Sequence, residues 1–217
     1  MDSKSKKRIT EIANLMAIAV VLEFVSNSVL PHFKLGGGIS FATTVPVLLI
    51  SYRYGLKYGV LSGAIFGFFQ VLLEQETISK FFDGDYFASN GMGWLWILLN
   101  FFVAQAAVGL GGILRNSTKS RKQKFMLGSL IALGTRYGVH VLTYWLCFGH
   151  LAKGYFNHCD ITTITLDSVS WAPEALLPLV FSLFYNCLYM LPEIALAMVA
   201  TWILANNRKI VTRVKSH

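Results

Sequence analysis

The chain has 217 residues, of which 54% are hydrophobic and only 14% charged, and its mean hydropathy is +0.54. A soluble domain carries about a quarter charged residues, so this composition excludes an ordinary soluble fold and places the chain in a bilayer. The net charge of +8 sits at the ends of apolar runs rather than in one patch, so no nucleic-acid partner is expected.

Runs of about 20 apolar residues cross a hydrocarbon core as helices. Six are predicted, at about 9–30, 39–52, 56–73, 94–114, 125–148 and 176–204. The fold class is therefore an all-α integral membrane protein, a single six-helix domain over 1–217. The second run is short for a span, and five helices is the competing count. Loops at about 74–93 and 149–175 leave no room for a separate catalytic module.

The first run follows Lys4, Lys6, Lys7 and Arg8. Glu11, Asn14 and Glu23 interrupt what would be a signal-peptide core, and no cleavage pattern follows, so a retained span is expected. Ala13 and Ala17, continued by Val21, make a strip of small residues. It reads either as an internal seam or as a surface that docks another membrane protein.

Gly36, Gly37 and Gly38 precede the second run. In the third, Gly55, Gly59, Gly63 and Gly67 recur every four residues and predict a smooth face for close helix packing. That run ends in Gln70 and Glu74. The loop after it has Asp83-Gly84-Asp85 as a turn signal. The fourth run carries Asn100 and Gln105 among Trp94, Trp96, Phe101 and Phe102.

The fifth run holds Arg136, His140 and Tyr144 at i, i+4 and i+8, on one helix face bordered by Trp145. Charged and polar groups inside a span face protein or water, not lipid. Arg136 reads as half of an ion pair with Glu23 or Glu193. His140 and Tyr144 lie further out and suit a pocket open to the exterior. The loop that follows, ending in Trp171-Ala172-Pro173, is a candidate lid or interface anchor. The sixth run interrupts its apolar residues with Tyr185, Asn186, Tyr189, Pro192 and Glu193.

Charge placement gives the orientation. Fifteen Lys and Arg residues, among them Arg53, Lys57, Arg115, Lys119, Arg121, Lys122 and Lys124, fall on one side of a six-span arrangement. Only Lys34, Lys80 and Lys153 fall on the other. Positive residues stay in the cytoplasm, so both termini are expected there. The three cysteines have no metal-ligand spacing, and no disulfide framework follows from them. No zinc-protease, serine-hydrolase or P-loop motif occurs, and no enzyme activity is expected. The amides, imidazole, phenols and rings of spans three to six suit a small flat heterocycle.

Four parts of the sequence carry a family resemblance: EIANLMAIAVV at 11–21, GGGISFATTVPVLLISYRYGLKYGVLSGAIFG at 36–67, LLNFFVAQAAVGLGG at 98–112, and RYGVHVLTYW at 136–145 with FSLFYNCLYMLPE at 181–193. The chain resembles the substrate-binding S components of energy-coupling factor vitamin transporters, most closely the thiamine-specific branch. The resemblance implies a six-helix bundle in a bacterial plasma membrane, with an outward vitamin site. It implies as partners a transmembrane coupling subunit and two ATPases. ATP would be used by those ATPases, and no cofactor is expected in this chain.

The family's binding histidine falls on His140, its asparagine on Asn186, and its docking motif on Ala13 and Ala17. By the same analogy Trp145, Phe148 and Phe181 stack on the ligand, and Asn100 joins His140 and Asn186 in reading its edge. The thiamine branch often has an acidic residue and an aromatic hydroxyl where this chain has Asn100 and Phe101. Glu74 is the substitute carboxylate. Thiamine, a vitamin B6 form and the thiamine pyrimidine precursor all stay open as ligands, and an intramembrane enzyme using Arg136, His140 and Glu193 is the reading from another class.

Overall fold

A computed structural model describes residues 2–30, 37–84, 86–87, 89–152 and 173–211. Residues 153–172 of the predicted loop at 149–175, with Trp171 and Ala172, lie outside the described residues. The described residues form α1 (Ser3–Val29), α2 (Val45–Tyr54), α3 (Leu56–Leu73), α4 (Gln75–Asp83) and α5 (Asn90–Ile97). A π-helical turn (Leu98–Val103), α6 (Ala104–Val108) and a 3₁₀ turn (Gly109–Gly112) continue the α5 rod. The two longest helices, α7 (Arg121–Phe148) and α8 (Leu177–Asn206), pack against each other.

Local chemistry starts and stops these elements. Asp2 caps α1 by accepting from the Ser5 amide at 2.8 Å. Ser120 and Gln123 form a reciprocal capping box at the start of α7, with contacts of 3.3 and 3.1 Å. Gly55 has φ +102°, a conformation that glycine adopts without a Cβ penalty, and it separates α2 from α3 in a single residue. The stretch at 75–83, expected to be loop, is instead the helix α4, with a Lys80–Glu76 pair at 2.7 Å on its exposed side.

Among the described residues five helical rods are long and apolar enough to cross a membrane: Ser3–Val29, Leu56–Leu73, Gly91–Gly112, Arg121–Leu151 and Glu174–Asn206. The second predicted run does not join them. α2 has only ten residues and rises about 15 Å, half a hydrocarbon core. All its residues but Arg53 are buried, so it sits inside the bundle. Short and irregular backbone is tolerated at membrane depth where protein covers it.

The glycine strip of α3 is the seam against the fourth rod. A Cβ on Gly63 or Gly67 would run into the carbonyls of Gln105 and Phe101. Gly59 makes the same close approach to Ser51 and Gly109. Ser51 in turn accepts from the Gly112 amide at 2.8 Å and donates to Gly109 O, tying α2 to the 3₁₀ turn. Ala13 and Ala17, by contrast, are exposed on α1.

One end of the bundle gathers both terminal segments. Arg53 pairs with Glu11 at 3.2 Å, and Tyr54 donates to the same carboxylate. Arg121 reaches Ala205 O at 3.4 Å, and Lys122 reaches Asn206 at 3.0 Å. Two core clusters follow from this arrangement. The terminal half packs Leu48, Ile50, Phe66, Phe125 and Leu133, and the far half packs aromatic rings.

Candidate functional site

A narrow, partly open hollow lies in the far half. α1 lines it with Glu23 and Asn27, and the connection before α2 with Gly37, Gly38, Ile39 and Ser40. α3 and its cap contribute Gln70 and Glu74. The fourth rod gives Asn100, Phe101 and Gln105, α7 gives Arg136 and His140, and α8 gives Tyr189 and Glu193.

The π-turn carries Asn100 into this hollow. Such turns insert an extra residue into a helix and redirect its side chains, and they recur at functional sites. Asn100 Oδ1 stands 2.7 Å from His140 Nδ1. With the amide oxygen as acceptor, His140 keeps its proton on Nδ1, and Nε2 becomes an acceptor. That Nε2 is buried with no hydrogen-bond partner, and His140 is only 4% exposed. Gln105 Oε1, on the fourth rod, is a second buried acceptor without a partner lining the hollow. Buried polar atoms are almost always satisfied, so these free acceptors, with Glu23 Oε2 as a third in the same hollow, mark a place for a donor.

Charge lies deeper. Arg136 Nη1 contacts Glu193 Oε1 at 2.5 Å, and this resolves the expected ion pair in favour of α8. Glu23 Oε1 accepts from Gln70 Nε2 at 2.7 Å, and its Oε2 makes no hydrogen bond. Glu74, at the end of α3, is pushed up to about 8 by burial first and then by the Glu23 carboxyl, against the pull of Arg136. Three carboxyl groups therefore face one guanidinium. The wall near Gly37 is tight: with φ +79°, its missing Cβ would stand 2.7 Å from the Tyr189 ring.

The predicted site residues divide into three groups. His140, Asn100 and Glu74 share the hollow. Asn186 is wholly buried one layer behind it, donating to Ser182 O at 2.7 Å and accepting from Tyr189 OH at 2.5 Å. It therefore holds the Tyr189 ring that lines the cavity.

Tyr144, Phe148 and Phe181 do not line the hollow. They belong to the aromatic cluster, where Tyr144 stacks on Tyr185 at 5.2 Å and touches Phe148 at 5.0 Å. Phe181 lies 5.8 Å from Tyr185. Trp145 is 45% exposed on the outer face of α7 and lines no part of the hollow. Position 145 lies one residue, about 100°, beyond the face of Tyr144, and that rotation turns its ring outward.

The first helix was the part missed. Glu23 and Asn27 were legible as polar residues in an apolar run four positions apart, which places them on one face. Ser40 and Gly37 gave no such signal.

Apolar rods around a polar hollow with unsatisfied acceptors make up a membrane protein that holds a small solute between its helices. Residues 9–157 match the family described as "Thiamine transporter protein (Thia_YuaJ)". The chain belongs to that family of transport proteins, and it is not an enzyme. It is 28% identical over 212 residues to the thiamine transporter ThiT of Bacillus subtilis (strain 168), covering 94% of this chain and 92% of the relative. The fold is also that of ThiT from Listeria monocytogenes, with a TM-score of 0.62 at 17% identity, over 97% of this chain and 100% of that one.

Proposed function

We propose that this chain is the S component of an energy-coupling factor importer and captures thiamine in the hollow bounded by Glu23, Glu74, Asn100 and His140. The single observation that carries this reading is the combination of free acceptors and excess carboxyl groups in one cavity. Thiamine presents an aminopyrimidine, whose amine is a donor, and a thiazolium, which is a permanent cation. His140 Nε2 accepts from the amine, and the carboxyl groups face the positive ring. Phe101 and Tyr189 supply the flat walls.

The orientation follows from charge. The end that gathers the terminal segments carries the basic clusters and is assigned to the cytoplasm of a bacterium. The hollow then opens outward. Ala13 and Ala17, exposed on α1, are assigned to the coupling subunit, which links this chain to two ATPases. α2 completes the bundle as a sixth, half-length helix.

Titrating the purified protein with thiamine, its pyrimidine precursor, pyridoxine and pyridoxamine, read by tryptophan fluorescence, tests the proposal. Thiamine is expected to bind tightest. A tighter pyridoxine or pyridoxamine reassigns the vitamin, and binding of none of the four overturns the site.

A further inference from the structure

We infer that the hollow exchanges a proton for its cationic ligand: one of the two carboxyl groups of Glu23 and Glu74 carries a proton when the hollow is empty, and the incoming monocation releases it to solvent. This deepens the proposed thiamine reading and rests on it.

Among the described residues Arg136 is the one Lys or Arg that lines the cavity, and Glu193 already holds it at 2.5 Å. That pair is neutral. Glu23 and Glu74 remain, contributed by α1 and the end of α3, with no further cation lining the hollow among the described residues. Glu23 is 4% exposed and leaves Oε2 without a hydrogen bond, and the amide of Gln70 serves its other oxygen.

The groups facing this pair come from every neighbouring wall. α7 presents Arg136 and His140, α8 presents Tyr189 and Glu193, and the π-turn presents Asn100. Among the described residues only Arg136 is a permanent cation, and its Nη1 is engaged by Glu193. Glu23 is buried and Glu74 half-buried, and two carboxylates so placed in one narrow hollow do not both stay ionised without counter-charge. The rise of Glu74 to about 8, with Glu23 among its causes, agrees with this geometry.

The sign is fixed by linkage. A bound cation favours the carboxylate, so the ligand complex holds fewer protons than the empty protein. Affinity then rises with pH, by about tenfold per unit at most, and levels off above about pH 8. A neutral ligand of the same shape lacks this dependence.

The test is isothermal titration of the full chain with thiamine at pH 7 in two buffers of different ionisation enthalpy, which counts protons released. The control ligand is a neutral isostere in which thiophene replaces the thiazolium. The wild type is expected to release close to one proton with thiamine and none with the isostere. The Glu23→Gln/Glu74→Gln variant is expected to release none with thiamine.

Thiamine binding without proton release, equal release with both ligands, or unchanged release in the double variant overturns the exchange and leaves the transport reading standing. The isostere comparison decides on wild type alone if the variant does not fold. Failure of thiamine to bind at all removes both.

Discussion

Asn100 and His140, forty residues apart, meet at 2.7 Å between Asn100 Oδ1 and His140 Nδ1. The contact joins the π-turn of the fourth rod to the middle of α7. It fixes which imidazole nitrogen faces the hollow, so Asn100 acts both as a wall residue and through the histidine. His140→Ala and Asn100→Ala are each expected to weaken thiamine binding by about 1–3 kcal/mol, the cost of a buried hydrogen bond left unmade. Asn186→Ala, which removes the amide that accepts from the Tyr189 hydroxyl, is expected to fall in the same range. Fluorescence titration of the three variants measures this, and unchanged affinity in all three would remove the site assignment.

Arg136 and Glu193 are buried together, so removing one leaves the other unpaired. Arg136→Met is expected to cost about 3–5 kcal/mol of stability. Adding Glu193→Leu is expected to recover most of the loss, because a desolvated ion pair is often no better than packed apolar groups. Thermal unfolding in detergent compares the two, and equal loss in both would show that the pair is not the source.

Gly63 and Gly134 make a contrast within the helices. Gly63→Ala drives a Cβ into the Gln105 carbonyl and is expected to destabilise by about 1–3 kcal/mol. Gly134 has nothing within 4 Å of the equivalent position. Gly134→Ala is expected to be neutral or stabilising by up to about 1 kcal/mol through helix propensity. Matching melting shifts for the two variants would mean that the α3 seam carries no strain.

Ala13 and Ala17 are exposed together on α1. Ala13→Leu/Ala17→Leu is expected to abolish uptake in cells that contain the coupling subunit and ATPases, with thiamine affinity of the purified chain unchanged. Normal uptake would move the docking surface elsewhere.

Most of the rods were readable in the chain because their cause is local. Apolar runs of sufficient length require helices in lipid, and the 56–73 span was matched by Leu56–Leu73. The i, i+4 spacing alone put Arg136 and His140 on one face. Glycines four apart predicted a seam, and α3 has one.

Other features depend on distances between rods, which no local pattern encodes. The choice of Glu193 over Glu23 as the partner of Arg136 is set by the packing of α7 on α8. The hollow's first-helix wall, Glu23 and Asn27, is set by where α1 crosses α3. The rings of Tyr144, Phe148 and Phe181 suit a ligand by type, yet they pack on one another, because rotation about a helix axis decides whether a side chain meets the cavity or the core. Ten residues are too few to cross a bilayer, and only burial within the bundle explains how α2 lies among longer helices. Composition and periodicity fixed the membrane class and the faces of its helices; the site arose from how those faces were brought together.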